Sequence, residues 1–267
     1  MPTSRERHVA VTGSVFAPDA LADRVVLVTG GSRGIGAAIA LACADAGADV
    51  AIGYHQDTNG AEAAVSAVRS RGKEARAFRA DVGEVDQVDA MIEAVLDRFG
   101  KIDGLVNNAG VMRESRFAEM TVDEWRHVLD VDLTGAFLCT RAALPGMLQR
   151  GSGSIVMMSS RLGQIGFAGV AHYAAAKAGL LGLAKSLARE VGPKGVRVNV
   201  VAPGVTVTDM TTDITRGEVG RRRLAELPAG RFATAEEVAA SVVFLLTDAA
   251  LLYHGQTLCP NGGGHMP

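Results

Sequence analysis

The run Val25-Val26-Leu27-Val28-Thr29-Gly30-Gly31-Ser32-Arg33-Gly34-Ile35-Gly36 decides the architecture. Its first four residues read as a buried strand, and glycines follow at once. From Ile35 to Ala46 an alanine-rich apolar pattern predicts a helix that stops at Gly47. Glycines at such a corner permit a tight turn and let backbone approach a pyrophosphate. The helix start adds free N–H groups and a positive dipole end. Placed between a strand and a helix, the pattern is a dinucleotide fingerprint. Gly30, Ser32, Arg33, Gly34, Ile35 and Gly36 are therefore the expected cofactor contacts.

The alternation continues along the chain. Strands are expected at Val50–Ile52, Ala75–Arg79, Gly104–Val106, Ser154–Met158 and Val196–Val201, with a short one at Gln256–Leu258. Helices are expected at Ala61–Arg71, Val85–Phe99, Val122–Leu148, Tyr173–Val191 and Ala235–Leu246. Strands and helices alternating at this spacing predict βαβ units with right-handed crossovers. The expected fold is one α/β Rossmann domain over residues 21–267, a doubly wound parallel seven-stranded sheet with helices on both faces. Residues 1–20 mix Arg, Glu, Ser, Thr and Pro and are expected to form a flexible extension.

Composition narrows the function. The chain has 267 residues, 48% hydrophobic and only 4% aromatic, so aliphatic side chains must fill the core. A net charge of −2 without a basic block lacks the electrostatic footprint of a nucleic-acid binder, and Arg221-Arg222-Arg223 reads as a solvated helix face. No apolar run approaches the roughly 20 residues that span a bilayer. Cys43, Cys139 and Cys259 have neither disulfide nor metal spacing, which predicts reduced thiols and a cytoplasmic protein. No metal site is expected.

The second strand runs out at Gly53-Tyr54-His55, with no carboxylate before Asp57. An acidic residue there commonly holds the 2′-hydroxyl of NAD, whereas a 2′-phosphate wants a cation. Arg33 in the glycine turn supplies one, with a geometry suited to phosphate, and His55 is a second candidate. The expected cofactor is NADPH/NADP+. Farther on, Tyr173 and Lys177 lie four residues apart in an expected helix and so share one face. A nearby cation favours phenolate, and such a tyrosine can exchange a proton with a reacting oxygen. His172, one residue before Tyr173, faces elsewhere on a helix and is left out of the chemistry.

With these pieces placed, the chain from about Leu21 onward resembles the short-chain dehydrogenase/reductases. Further motifs stand in the family's order: Asp81-Val82, Asn107-Asn108-Ala109-Gly110, Ser160 thirteen residues before Tyr173, and Pro203-Gly204-Val205-Thr206-Val207-Thr208. The resemblance implies that Asp81 and Val82 meet the adenine. It places Asn108, Ala109 and Gly110 on the adenosine side, and Pro203, Gly204, Thr206 and Thr208 around the carboxamide. It further implies that Ser160 bonds the substrate carbonyl, Tyr173 transfers the proton, and Lys177 bonds the ribose and lowers the Tyr173 pKa. Scaffold phrases such as Gly195-Val196-Arg197-Val198-Asn199 are most similar to the 3-oxoacyl-(acyl carrier protein) reductases.

One position departs from the pattern. Where the family carries Asn in an N-L-x-G segment, this chain reads Val131-Asp132-Leu133-Thr134-Gly135. Asp132 stands in the place of a residue that holds a relay water beside the lysine, and its charge is expected to raise the pKa of both Lys177 and Tyr173. The implied activity is NADPH-dependent reduction of a ketone, on a 3-oxoacyl thioester offered by an acyl carrier protein. The alternatives are an NAD(P)-linked secondary-alcohol dehydrogenase or ketoreductase on a free small molecule, and a catalytically silent cofactor-binding regulator. The substrate is expected between Arg161–Ala171 and Asp209–Leu227, two segments expected to be mobile, with Arg113, Arg116 and Arg161 near the entrance. Helices apolar on more than one face imply a homotetramer, the family's usual assembly.

Overall fold

A computed structural model describes residues 16–267. Residues 1–15 of the expected extension lie outside the described residues. Phe16 and Ala20 pack against the core, and the Leu21 N–H donates to the Ala46 carbonyl at 2.7 Å.

Seven parallel strands form one sheet in the order β3-β2-β1-β4-β5-β6-β7. They are β1 (Val25–Val28), β2 (Asp49–Tyr54), β3 (Ala75–Arg79), β4 (Gly104–Asn107), β5 (Gly153–Met158), β6 (Val196–Val201) and β7 (Thr257–Leu258). The register follows the apolar runs, with Val28 opposite Ile52 on one side and Val106 on the other. Successive side chains of a strand alternate between faces. Val26, Val28, Val50, Ile52 and Val156 accordingly belong to one core. Leu27, Ala51, Leu105, Ile155 and Met157 belong to the other. The first core is covered by α1 (Gly34–Asp45), α2 (Thr58–Arg69) and α10 (Ala235–Leu246). The second is covered by α3 (Val85–Phe99), α5 (Gly135–Arg150) and α7 (Ala171–Val191). Between β1 and β4 the chain changes direction across the sheet, and such a switch point opens a crevice at the strands' C-terminal ends.

Strand β2 runs three residues longer than the expected Val50–Ile52, and the structure differs from the sequence reading in three further places. Helix α2 starts at Thr58 rather than Ala61, because the Asp57 side chain accepts from the Gly60 N–H at 3.0 Å and caps it. The helix expected over Val122–Leu148 is not continuous. It consists of α4 (Val122–Leu129), a five-residue π-helical turn at Asp130–Thr134, and α5. The segments flanking the expected substrate region contain short helices: α6 (Arg161–Ile165) in the first, and α8 (Thr212–Thr215) and α9 (Gly217–Ala225) in the second. Among the described residues no helix is long and apolar enough to cross a membrane.

One buried charge fastens the far side of the sheet. Arg197 on β6 is 6% exposed. Its guanidinium donates to the carbonyls of Leu245, Leu246, Thr247 and Ala250. These include the last carbonyls of α10, which have no partner within the helix. A neutral side chain of similar length fills the space but takes one charged donor from each carbonyl, leaving Leu245 with Ser154, Leu246 with Arg24, Thr247 with the Ala250 N–H and Ala250 with the Tyr253 N–H. Arg197→Met is expected to cost about 3 kcal/mol, lowering the melting midpoint by roughly 6–12 °C in a calorimetric scan. An unchanged midpoint would show that the remaining donors suffice for these carbonyls.

Candidate active site

A cleft of about 760 Å³ lies at the C-terminal ends of β1 and β4. Every residue singled out from the sequence for catalysis or cofactor contact lines it, from Gly30 and Arg33 to Ser160, Tyr173 and Thr208. What brings them together begins with Thr29, 2% exposed at the end of β1. Its hydroxyl accepts the N–H groups of Asn108 and Ala109 at 3.0 and 3.1 Å. The Asn108 amide returns bonds to the carbonyls of Thr29 and Gly30, at 3.0 and 3.1 Å. Asn107 donates to Thr140 on α5 at 2.9 Å, so the end of β4 is tied to both neighbours.

The glycine turn admits no side chain at its tightest points. A Cβ on Gly36 would stand 2.1 Å from the Gly30 carbonyl oxygen. Gly30 has φ 63°, and a Cβ there would stand 2.9 Å from the Ala109 backbone. Helix α1 begins without a side-chain cap and without an acidic residue in its first turn. Its first N–H groups therefore remain available to an anion. Arg33 is exposed at this corner, while His55 Nε2 lies 3.7 Å from Asp81 Oδ2 across the outer rim. The corner fits a dinucleotide: close backbone approach, free donors and a cation at the rim.

The chemical end is built by α6 and α7. Ser160 precedes α6, and its Oγ accepts from the Leu162 N–H at 3.1 Å, which leaves the hydroxyl proton free. Gly163 lets α6 sit directly on α7, since a Cβ there would meet the Lys177 carbonyl carbon at 2.7 Å. Ser159 donates to the Lys177 carbonyl at 2.7 Å and locks the two together. The Ser160 hydroxyl thus reaches the Tyr173 phenol. His172 is fully buried, and its Nδ1 accepts the Tyr173 N–H at 2.9 Å, steadying the start of α7.

Lys177 is 4% exposed. Its Nζ donates to the Met158 carbonyl at 3.0 Å, lies 3.0 Å from Asp132 Oδ2, and stands 5.5 Å from the Tyr173 ring centre. The π-helical turn carries Asp132 into this space. Asp132 Oδ1 accepts the Val111 N–H at 2.7 Å, whereas Oδ2 has the ion pair but no aligned hydrogen bond. Two glycines make the approach feasible. A Cβ on Gly110 would stand 2.8 Å from Asp132 Oδ2, and one on Gly179 would stand 2.8 Å from Leu133.

These neighbours set the titration. Burial raises the Tyr173 pKa; Lys177 opposes this, Asp132 adds to it, and the Ser160 hydrogen bond opposes it, for a net rise. Burial lowers Lys177, but Asp132 and the Tyr173 phenolate outweigh it, again for a net rise. Tyr173 keeps intermediate exposure because it faces the open cleft, yet the protein around it excludes most solvent.

The expected substrate walls are present: Arg161, Leu162, Phe167, Ile214 and Arg223 all line the cleft. The Arg161 guanidinium donates to the Gly264 carbonyl at 3.2 Å, and the Arg223 guanidinium lies 5.1 Å from the centre of the Phe167 ring. Arg116 borders a separate hollow with Glu119 and Glu124, and Arg113 lines neither. Met112, in the segment after β4, and His127, on α4, also line the cleft and gave no signal in the sequence, because nothing there marks which residues face it.

The fold, the glycine corner and the serine–tyrosine–lysine group define a nicotinamide-dependent oxidoreductase scaffold. A family profile described as enoyl-(acyl carrier protein) reductase matches residues 30–265. The chain belongs to the short-chain dehydrogenase/reductase family. It is 44% identical over 240 residues to the 3-oxoacyl-[acyl-carrier-protein] reductase FabG of Staphylococcus aureus, covering 90% of this chain and 97% of that protein. It is also 44% identical over 245 residues to the 3-oxoacyl-[acyl-carrier-protein] reductase of Synechocystis, covering 91% and 98%. A crystal structure assigned as an NAD(P)-dependent gluconate 5-dehydrogenase from Beutenbergia cavernae, with NADP bound at low occupancy, superposes with a TM-score of 0.88. It has 38% identity and covers 93% of this chain and 99% of that one.

Proposed function

We propose that this protein reduces the ketone of a 3-oxoacyl thioester to a secondary alcohol, using NADPH. The observation that carries the reading is the convergence of the Ser160 hydroxyl and the Tyr173 phenol, two O–H groups in one cleft, with Lys177 behind the phenol. Two donors aimed at one point suit an oxygen that gains negative charge. The relatives named 3-oxoacyl-[acyl-carrier-protein] reductase favour the thioester, and the apolar Phe167 and Ile214 in the cleft's lining suit an acyl arm.

The glycine turn and the first turn of α1 would hold the pyrophosphate, Arg33 and His55 the 2′-phosphate, Asp81 and Val82 the adenine. Pro203, Gly204, Thr206 and Thr208 would hold the carboxamide. When bound, the nicotinamide supplies a hydride to the substrate carbon. Ser160 holds the carbonyl oxygen by a hydrogen bond, and the Tyr173 O–H bond breaks as its proton passes to that oxygen. Lys177, as an ammonium, stabilises the phenolate that remains until solvent returns a proton.

A second reading is an NAD(P)-linked dehydrogenase of a free alcohol, favoured by the structural likeness to a gluconate 5-dehydrogenase. The intact Ser160, Tyr173 and Lys177 arrangement argues against a silent regulator. For the assembly we propose a homotetramer, with α4, α5 and α7 at its interfaces. Val122 and Phe137 stand 61% and 45% exposed on the outer face of the first two. The free cysteines fit a cytoplasmic protein.

Acetoacetyl thioester should drive rapid NADPH oxidation, with gluconate oxidation by NADP+ far slower; the reverse order would establish the dehydrogenase. Tyr173→Phe should lower turnover by about 10²–10⁴-fold while retaining cofactor binding. Arg33→Ala is expected to raise the KM for NADPH about tenfold or more and to leave that for NADH nearly unchanged; equal effects would remove Arg33 from the 2′-phosphate. Light scattering should give four times the chain mass, and a monomer mass would overturn the assembly.

A further inference from the structure

The Asp132–Lys177 pair is unusual in where its charge sits. Asp132 is 1% exposed and Lys177 4%, and the two approach to 3.0 Å. No water layer separates carboxylate from ammonium at that distance. The pair is also deliberately accommodated: the π-helical turn delivers Asp132, and Gly110 and Gly179 leave the space it needs. Such a turn costs helix regularity, and π-helical turns cluster at functional positions.

We propose that Asp132 is a positioning residue that clamps Lys177 as an ammonium against the Met158 carbonyl and thereby sets the pH range over which Tyr173 serves as an acid. The inference rests on Tyr173 being the proton donor of the proposed reduction. The surroundings leave few competing charges. From α7 come Tyr173 and His172, the latter holding the Tyr173 N–H. From the end of β5 come the Ser159 and Ser160 hydroxyls, and from the segment after β4 the Val111 N–H; Glu114 of that segment, Arg161 of α6, and Asp209 and Arg223 beyond β6 line the same cleft. Asp130, on the same turn, and His127, on α4, are exposed. The charges that act on Tyr173 are those of Lys177 and Asp132.

The sign follows. A fixed negative charge disfavours phenolate, and both Tyr173 and Lys177 are raised with Asp132 among the causes. In reduction Tyr173 must carry its proton, so activity persists to higher pH. In the reverse oxidation Tyr173 must have lost it, so activity begins only at higher pH. The pair therefore moves the alkaline limit of the reduction and the acid limit of the oxidation upward together, without altering the overall equilibrium.

The test uses the full chain without cofactor as well as turnover. The protein has three tyrosines, so the difference in ultraviolet tyrosinate titration between wild type and Tyr173→Phe isolates Tyr173. Asp132→Asn should move that midpoint down by about one pH unit and carry the alkaline limb of the reductive pH–rate profile with it. Asp132→Glu, which keeps the charge, should leave the midpoint near its original position. If Asp132→Asn fails to fold, Asp132→Ser removes the charge with a smaller side chain, and the same shift is expected. An unmoved or raised midpoint in the neutral variant overturns the proposal whatever the substrate. A lowered midpoint with no turnover of any ketone supports it and counts against the proposed function instead.

Discussion

The reversal of strand order between β1 and β4 is the constraint on which the site depends. Parallel strands send their C-terminal ends to one edge, and helices leaving β1 and β4 toward opposite faces cannot cover the gap between them. The gap alone would be a loose crevice. The Thr29 hydroxyl, buried and bonded to both Asn108 and Ala109, fixes its width. With that width set, the glycine corner lies on one side and Gly110 with Asp132 on the other. The phosphate end and the proton-transfer end are therefore positioned by a single short network.

Much of this was legible in the sequence because it rests on local signals. The β-branched runs, their spacing and the glycine turn specify the sheet, and the four-residue interval from Tyr173 to Lys177 places both on one face of α7. The cleft gathers residues from Gly30 to Thr208 that the motifs had marked singly. What escaped has a common cause. The π-helical turn at Asp130–Thr134 has no composition of its own, since Val131-Asp132-Leu133-Thr134-Gly135 reads equally well as ordinary helix. It forms because α7 and Gly110 receive it, and neither contact is local. Arg197 was read only as part of a scaffold phrase. Its four carbonyl partners lie about fifty residues away and cannot be inferred from its neighbours.

Arg197 and Asp132 illustrate two uses of a buried charge. Arg197 directs its donors at carbonyls at the end of α10, beside the Arg24–Asp248 ion pair, and fastens the sheet far from the chemistry. Asp132 meets a full opposite charge and leaves one oxygen without an aligned hydrogen bond. An amide would fit there at small steric cost but would leave the buried Lys177 ammonium without its counter-ion. Its effect is felt by the neighbours that titrate.

That reasoning bears on how a shared catalytic group is tuned. In the proposed reaction Ser160, Tyr173 and Lys177 would provide the same three functions whether it runs as reduction or oxidation, and their placement by α6 and α7 leaves little freedom. Gly163 already brings α6 into backbone contact with α7, and Ser159 bonds the carbonyl of Lys177. Geometry is therefore a poor lever. A fixed charge behind the lysine is a better one, because it changes the protonation of Tyr173 without moving any atom that touches substrate. The departure at a single helical position, admitted by Gly110 and Gly179, is the smallest change able to do so.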